Sequence, residues 1–131
     1  MNTYVARPAE ITSRNHFMAD QQLAANCRIH ITNRIYIGSR RYGRPAVTVN
    51  GMLLGPRFDL CIYREDSFDW GYAGSGAAQL ALAIIAEHLR DDKMAMVLHQ
   101  RYKWSVIVRL PHSSWMMTDW NIATALKSLF G

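Results

Sequence analysis

The apolar positions change rhythm several times along this chain. Residues 1–18 show no periodicity and read as a loosely attached arm ahead of one domain over residues 19–131. Asp20 to Cys27, DQQLAANC, holds good helix formers for only two turns. From Arg28 the pattern alternates: in RIHITNRIYIGSRR, Ile29, Ile31, Ile35 and Ile37 fall out of step with His30, Arg34 and Tyr36, the period of a half-buried strand. PAVTVNGMLL follows, with Val47 and Val49, an Asn50-Gly51 pair and a second apolar run. Asn-Gly between such runs is the strongest short hairpin signal, since both turn positions need positive φ. GPRFDLCIYRED adds a short third strand around Leu60 to Tyr63.

Helical patterns come next. Ala77 to Leu89 is apolar on every face, which marks a helix surrounded by other elements. Asp92 to about Arg109 forms a second helix from an Asp91 cap, although SVIVRL at 105–110 also fits a strand. Asp119 to Leu129 is a third, with Thr118 as cap and Trp120, Ala123, Leu126 and Phe130 along one stripe. Strands first and helices later predict an α+β domain: a small antiparallel sheet in the N-terminal half, with an Asn-Gly hairpin, packed against about three helices.

Between sheet and helices lies FDWGYAGSG, which has the look of a phosphate or nucleophile turn. Gly71, Gly74 and Gly76 give G-x-x-G-x-G, not the G-x-G-x-x-G of a dinucleotide site. No G-K-[ST] follows, and Ser75 sits directly between two glycines rather than in G-x-S-x-G. The stretch therefore reads as the turn that opens the central helix, capped by Ser75 or Gly76.

The same residues carry a resemblance. Trp70, Gly71, Tyr72, Gly74, Ser75, Gly76, Ala78, Gln79, Leu80, Ala81, Leu82 and Ala83 form a W-G-Y-x-G-S-G-x-A-Q-L-A-L-A core. With YIGSRRYGRPAVTVNGMLLGPRFDL before it and RLP after it, this is similar to a family of small bacterial proteins described only as a domain of unknown function. Members are often carried by phages and integrative elements. The similarity covers roughly residues 35–112, with Ala73 where glycine and Ala77 where proline is expected. It implies a mobile-element setting and supplies no catalytic motif.

Composition narrows the classes. Half of the 131 residues are apolar and 19% are charged, a globular rather than a disordered balance. The longest apolar run, Leu80 to Ala86, falls far short of the roughly 20 residues that cross a bilayer. The first residues lack the apolar core of a secretory signal, and Cys27 and Cys61 have no metal or redox spacing. A cytoplasmic protein with reduced thiols is expected.

Charge changes the picture most. The net charge is +5, and all of it lies in residues 1–50, where Arg7, Arg14, Arg28, Arg34, Arg40, Arg41 and Arg44 face only Glu10 and Asp20. Arginine's planar fork suits phosphates and carboxylates. Arg34, Arg40, Arg41, Tyr42 and Arg44 are the expected partner-binding residues, with Trp115, Met116, Met117 and Trp120 as a second surface if SWMMTDW is an exposed loop.

Catalytic chemistry finds little support. His16, His30, His88, His99 and His112 form no metal-ligand spacing, although His88 and His99 could meet across a helix pair. Asp59, Glu65, Asp66 and Asp69 cluster as a solvated loop between sheet and helix. No catalytic residue, metal or cofactor is expected. The first functional expectation is a small non-enzymatic binding protein that docks on and blocks a host protein or ribonucleoprotein, an anti-defence inhibitor such as an anti-CRISPR; it rests on the resemblance. The alternatives are a nucleic-acid-binding accessory protein using the Arg/Tyr-rich 28–44 region, and an enzyme with an unrecognised site.

Overall fold

The computed structural model describes residues 33–130. The expected arm over 1–18, the short helix over Asp20–Cys27 and the alternation at Ile29 and Ile31 lie outside these residues. Within them the fold is α+β. Four antiparallel strands, β1 (Ile35–Arg41), β2 (Arg44–Val49), β3 (Met52–Leu53) and β4 (Trp115–Thr118), lie in the order β3-β2-β1-β4. Three helices follow or interleave: α1 (Ser75–Leu89), α2 (Asp92–Ser105) and α3 (Asp119–Phe130).

Both hairpins are two-residue turns with left-handed φ. Asn50 and Gly51 have φ of 51° and 85°, as their dipeptide predicts. Asn50 also closes the start of β1: its Oδ1 accepts from Ile35 N–H and its own N–H donates to Ile35 C=O, both at 2.9 Å. The second turn, Tyr42-Gly43 at φ of 55° and 79°, carries no such signature in sequence, because tyrosine rarely occupies the left-handed region.

β1 alternates as expected, but with the opposite face inward. Tyr36 and Gly38 are buried while Ile35 and Ile37 remain 41% and 42% exposed. The reason is Trp115 on β4, whose ring lies against Gly38: a Cβ built there would stand 2.2 Å from Trp115 Cε2. Only glycine leaves room for that indole, and the register then turns Tyr36 to the same side. One core cluster joins Tyr36, Val47, Trp115 and Met117 of the sheet to Leu80, Ile84, Leu98 and Ile122 of the helices.

α1 is the central helix, buried without interruption from Gly76 to Ala86. Its N-cap is Gly74, with no side-chain capping bond, so Ser75 and Gly76 are its first helical residues rather than its cap. α2 starts as expected from Asp91, which accepts from Met94 N–H at 3.1 Å. It ends at Ser105; residues 107–109 form a 3-10 turn, so 105–110 is neither a strand nor a continuation of the helix. Thr118 caps α3 reciprocally: Asn121 N–H donates to Thr118 Oγ1, and Asn121 Oδ1 accepts from Thr118 N–H at 2.8 Å.

Two further expectations are corrected. Leu60–Tyr63 is turn and loop, not strand, held by Gln79 of α1. Its Oε1 accepts from the N–H groups of Tyr63 and Arg64, and its Nε2 donates to the carbonyls of Pro56 and Cys61. That buried amide fills its full hydrogen-bonding capacity, so one side chain of the W-G-Y core fixes a whole loop. SWMMTDW is not an exposed loop either: it is β4 and the first turn of α3, with Trp115 and Met117 buried. Among the described residues no helix is long and apolar enough to cross a membrane.

Candidate interaction surface

Strand parity divides the described arginines from Arg34 to Arg44 into two groups. Arg40 shares the inner face of β1 with Tyr36 and Gly38. Its Nη2 donates to Asp69 Oδ1 at 2.7 Å and its Nε to the His112 carbonyl at 2.7 Å, while the guanidinium lies 4.5 Å above the Trp70 ring. Asp69 also accepts from Trp70 N–H at 2.9 Å and from the Tyr72 hydroxyl. Burial opposes ionisation of Asp69, yet the bonds from Tyr72, Arg40 and the Trp70 amide hold its carboxyl below the ordinary carboxylate range.

This cluster also resolves the GYAGSG turn. A Cβ on Gly76 would stand 2.7 Å from Asp69 Cβ and 2.9 Å from Asp69 N, so the chain's own backbone presses against the start of α1. The glycine admits that contact between two segments of the chain.

Arg34 is likewise engaged within the domain. It donates to Asp119 Oδ2 at 3.0 Å, to Glu87 Oε2 at 2.9 Å and to the Glu87 and His88 carbonyls. His88 Nδ1 donates to Asp119 Oδ1 at 2.8 Å, because a carboxylate only accepts. Burial again opposes ionisation, but His88 and Arg34 keep the Asp119 carboxyl below its usual range. His99 has a separate partner: its Nδ1–H faces the Ala95 carbonyl and its Nε2 faces the Tyr63 hydroxyl at 2.7 Å. The two histidines therefore do not pair with each other.

Arg41, Tyr42 and Arg44 are what the hairpin displays. Arg41 and Arg44 stand directly opposite each other across β1 and β2, on the outer face, with Tyr42 99% exposed at the tip between them. Neither arginine has an ion pair among the described residues. Like charges in cross-strand positions repel, so this pair lowers stability unless an anion lies between them.

The remainder of the outer face is largely aliphatic, with Ser39 and Thr48 among its polar positions. Met116, Ile37, Thr48 and Leu53 form one row across all four strands, spanning about 14 Å at ordinary strand spacing. Leu53 is 80% exposed, Ile35 lies beside Ile37, and among the described residues no helix covers this side. Of the second expected surface, only Met116 and Trp120 retain exposure; Trp115 and Met117 belong to the core. Parity was the missing signal: assigning the isoleucines inward hides both the apolar face and the inward turn of Arg40.

Two clefts open nearby, the first bordering this face through Ala46 and Leu53. One, of about 260 Å³, is lined by Pro45, Leu54, Phe58, Arg64, Phe68 and Gln79. The other, of about 440 Å³, runs between the end of α1, the start of α2 and α3, past His88, Leu98 and Leu126. Among the described residues no group of three His, Cys, Asp or Glu side chains is placed to hold a metal.

Comparison with known proteins places this surface in context. No curated protein and no solved structure matches the chain. A family model does match, over residues 36–128, so it takes in β4 and most of α3, beyond the 35–112 that the core motif suggests. Because that match spans most of the chain, the protein belongs to the family of unknown function DUF6166.

Proposed function

We propose that this chain is a non-enzymatic protein-binding module that docks through the outer face of its sheet, onto a partner presenting an apolar patch beside a carboxylate. The observation that carries this reading is the face itself: Ile35, Ile37 and Met116 together, Leu53 beyond Thr48, and at the hairpin end the Arg41–Arg44 couple, which has no ion pair among the described residues. Apolar patches rimmed by charged groups mark protein interfaces, and arginine and tyrosine are favoured anchors there. A partner carboxylate between Arg41 and Arg44 would relieve their repulsion. The tight Tyr42-Gly43 turn holds both in place, which reduces the entropy lost on docking. Blocking a host protein or ribonucleoprotein in the cytoplasm, the anti-defence role, then requires only that this face cover the partner's working surface.

A nucleic-acid role for the 28–44 region is less favoured. Arg34 and Arg40 are committed to internal carboxylates, and the outer face offers aliphatic rather than aromatic side chains for bases. The test is affinity capture from bacterial lysate with the full chain, with and without nuclease, beside the double variant Ile37→Glu/Leu53→Glu. Both positions are exposed, so the variant should keep its melting temperature. One protein retained through nuclease treatment and lost with the variant supports the reading. Capture abolished by nuclease, or unchanged in the folded variant, overturns it.

A further inference from the structure

The end of the domain at which the Tyr42-Gly43 tip lies carries a second chemistry, where α1 begins and α2 ends. α1 and α2 run antiparallel, so the end of α2 returns beside the start of α1, where Gly71 N–H donates to the Ile107 carbonyl at 3.0 Å. Arg40 reaches the same place from the end of β1, through Asp69 and the His112 carbonyl. Tyr42, Tyr72, Lys103, Trp104 and Arg109 therefore all lie toward one end of the domain. The exposed large apolar side chains here are aromatic: Tyr42, Tyr72 at 46% and Trp104 at 57% exposed. The exposed aliphatic ones, such as Ile37, Leu53 and Val97, sit elsewhere.

Cations accompany these rings. Lys103 Nζ lies 4.6 Å from the Trp104 ring centroid, and Arg109 is exposed on the 3-10 turn. Neither has an ion pair among the described residues. The nearby acids are neutralised, Asp69 by Arg40 and Asp66 by Arg64, which leaves Glu65 uncompensated. Tyr72 is held in place by its hydroxyl bond to Asp69, so its ring stands as a fixed platform. Rings that stack on any base, with unpaired cations beside them for phosphates, are what sequence-tolerant binding of single strands requires.

We propose that this end of the domain binds single-stranded nucleic acid, Tyr72 and Trp104 stacking on bases while Lys103 and Arg109 contact phosphates. An acidic protein would draw on the same rings and charges, so competition by polyglutamate separates the two.

The test is fluorescence anisotropy of labelled twelve-residue dT and rU oligonucleotides with the full chain, titrated across salt. Binding of either oligonucleotide is expected, and the better binder identifies the natural backbone. Trp104→Ala should weaken binding roughly 5- to 150-fold, the range for one lost stacked base, with the salt slope unchanged. Lys103→Gln and Arg109→Gln should each lower the slope of log affinity against log salt by about 0.7. Lys93→Gln, at the other end of α2, should change nothing. The proposal is overturned by absence of binding at low salt, by Trp104→Ala binding as tightly as the wild type, by duplex binding as well as single strand, by polyglutamate competing equally, or by Lys93→Gln acting like Lys103→Gln. Trp104 is 57% exposed, so that variant should keep the fold, and a melting curve checks it.

Discussion

Hydrogen bonds reach the Asp119 carboxylate from His88 Nδ1, from Arg34 Nε and from the Arg34 backbone N–H. The residue joins the start of β1, the end of α1 and the start of α3. Its ionised form is favoured in the fold despite burial, and Asp69 shifts in the same direction at the opposite end. A carboxyl with a depressed folded pKa contributes stability in full above its unfolded value of about 4, and that contribution is lost as pH falls through the folded value. Urea midpoints should therefore hold through neutral pH and fall increasingly below about pH 4. Asp119→Asn should be less stable than the wild type at pH 7 and should show a shallower acid decline. An unchanged decline in that variant would mean that other carboxylates govern acid unfolding.

Elements show how one small residue sets a register. With Trp115 Cε2 only 2.2 Å from a virtual Cβ, Gly38→Ala forces the indole or the β1–β4 pair to move. Overpacking of this kind costs about 1–3 kcal/mol, so the denaturation midpoint should drop clearly. Gly55→Ala, with no atom within 4 Å of its virtual Cβ, should not show that overpacking penalty. A tolerated Gly38→Ala would mean that Trp115 does not pin the strand. The same contact explains which elements were legible in the sequence. Asn50-Gly51, the Asp91 and Thr118 caps and the buried α1 follow local rules, and the chain displays them openly. The inward face of β1 depends on Trp115, 77 positions beyond Gly38, and no local period reports that contact. The Tyr42-Gly43 turn was hidden because a tyrosine occupies a position that usually marks itself with asparagine or glycine. Arg34 and Arg40 looked like surface cations because Asp119 and Asp69 reach them only in three dimensions. The candidate surface was thus half visible: Arg41, Tyr42 and Arg44 could be named, but not the apolar face beside them.

At the scale of the whole molecule the two ends of the sheet differ in how their charge is balanced. At the start of β1, Arg34 is matched by Glu87 and Asp119. At its finish, Arg41 and Arg44 face each other with no counter-charge among the described residues. A fold selected for stability alone would place opposite charges in that cross-strand position. Arg44→Glu provides the direct comparison, because it converts the repelling couple into an attracting one without touching the core or the Arg40–Asp69 pair. Opposite-charge cross-strand pairs contribute roughly 0.2–1 kcal/mol, so the variant should unfold at a slightly higher urea concentration than the wild type. If Arg41 and Arg44 together grip a partner carboxylate, the same change should abolish capture of the protein partner, since it inserts a negative charge where the partner's own must sit. Stability and binding would then move in opposite directions through one residue. Capture at full strength by a stabilised Arg44→Glu variant would remove the arginine couple from the interface and leave the apolar row of Ile37, Leu53 and Met116 to account for docking alone.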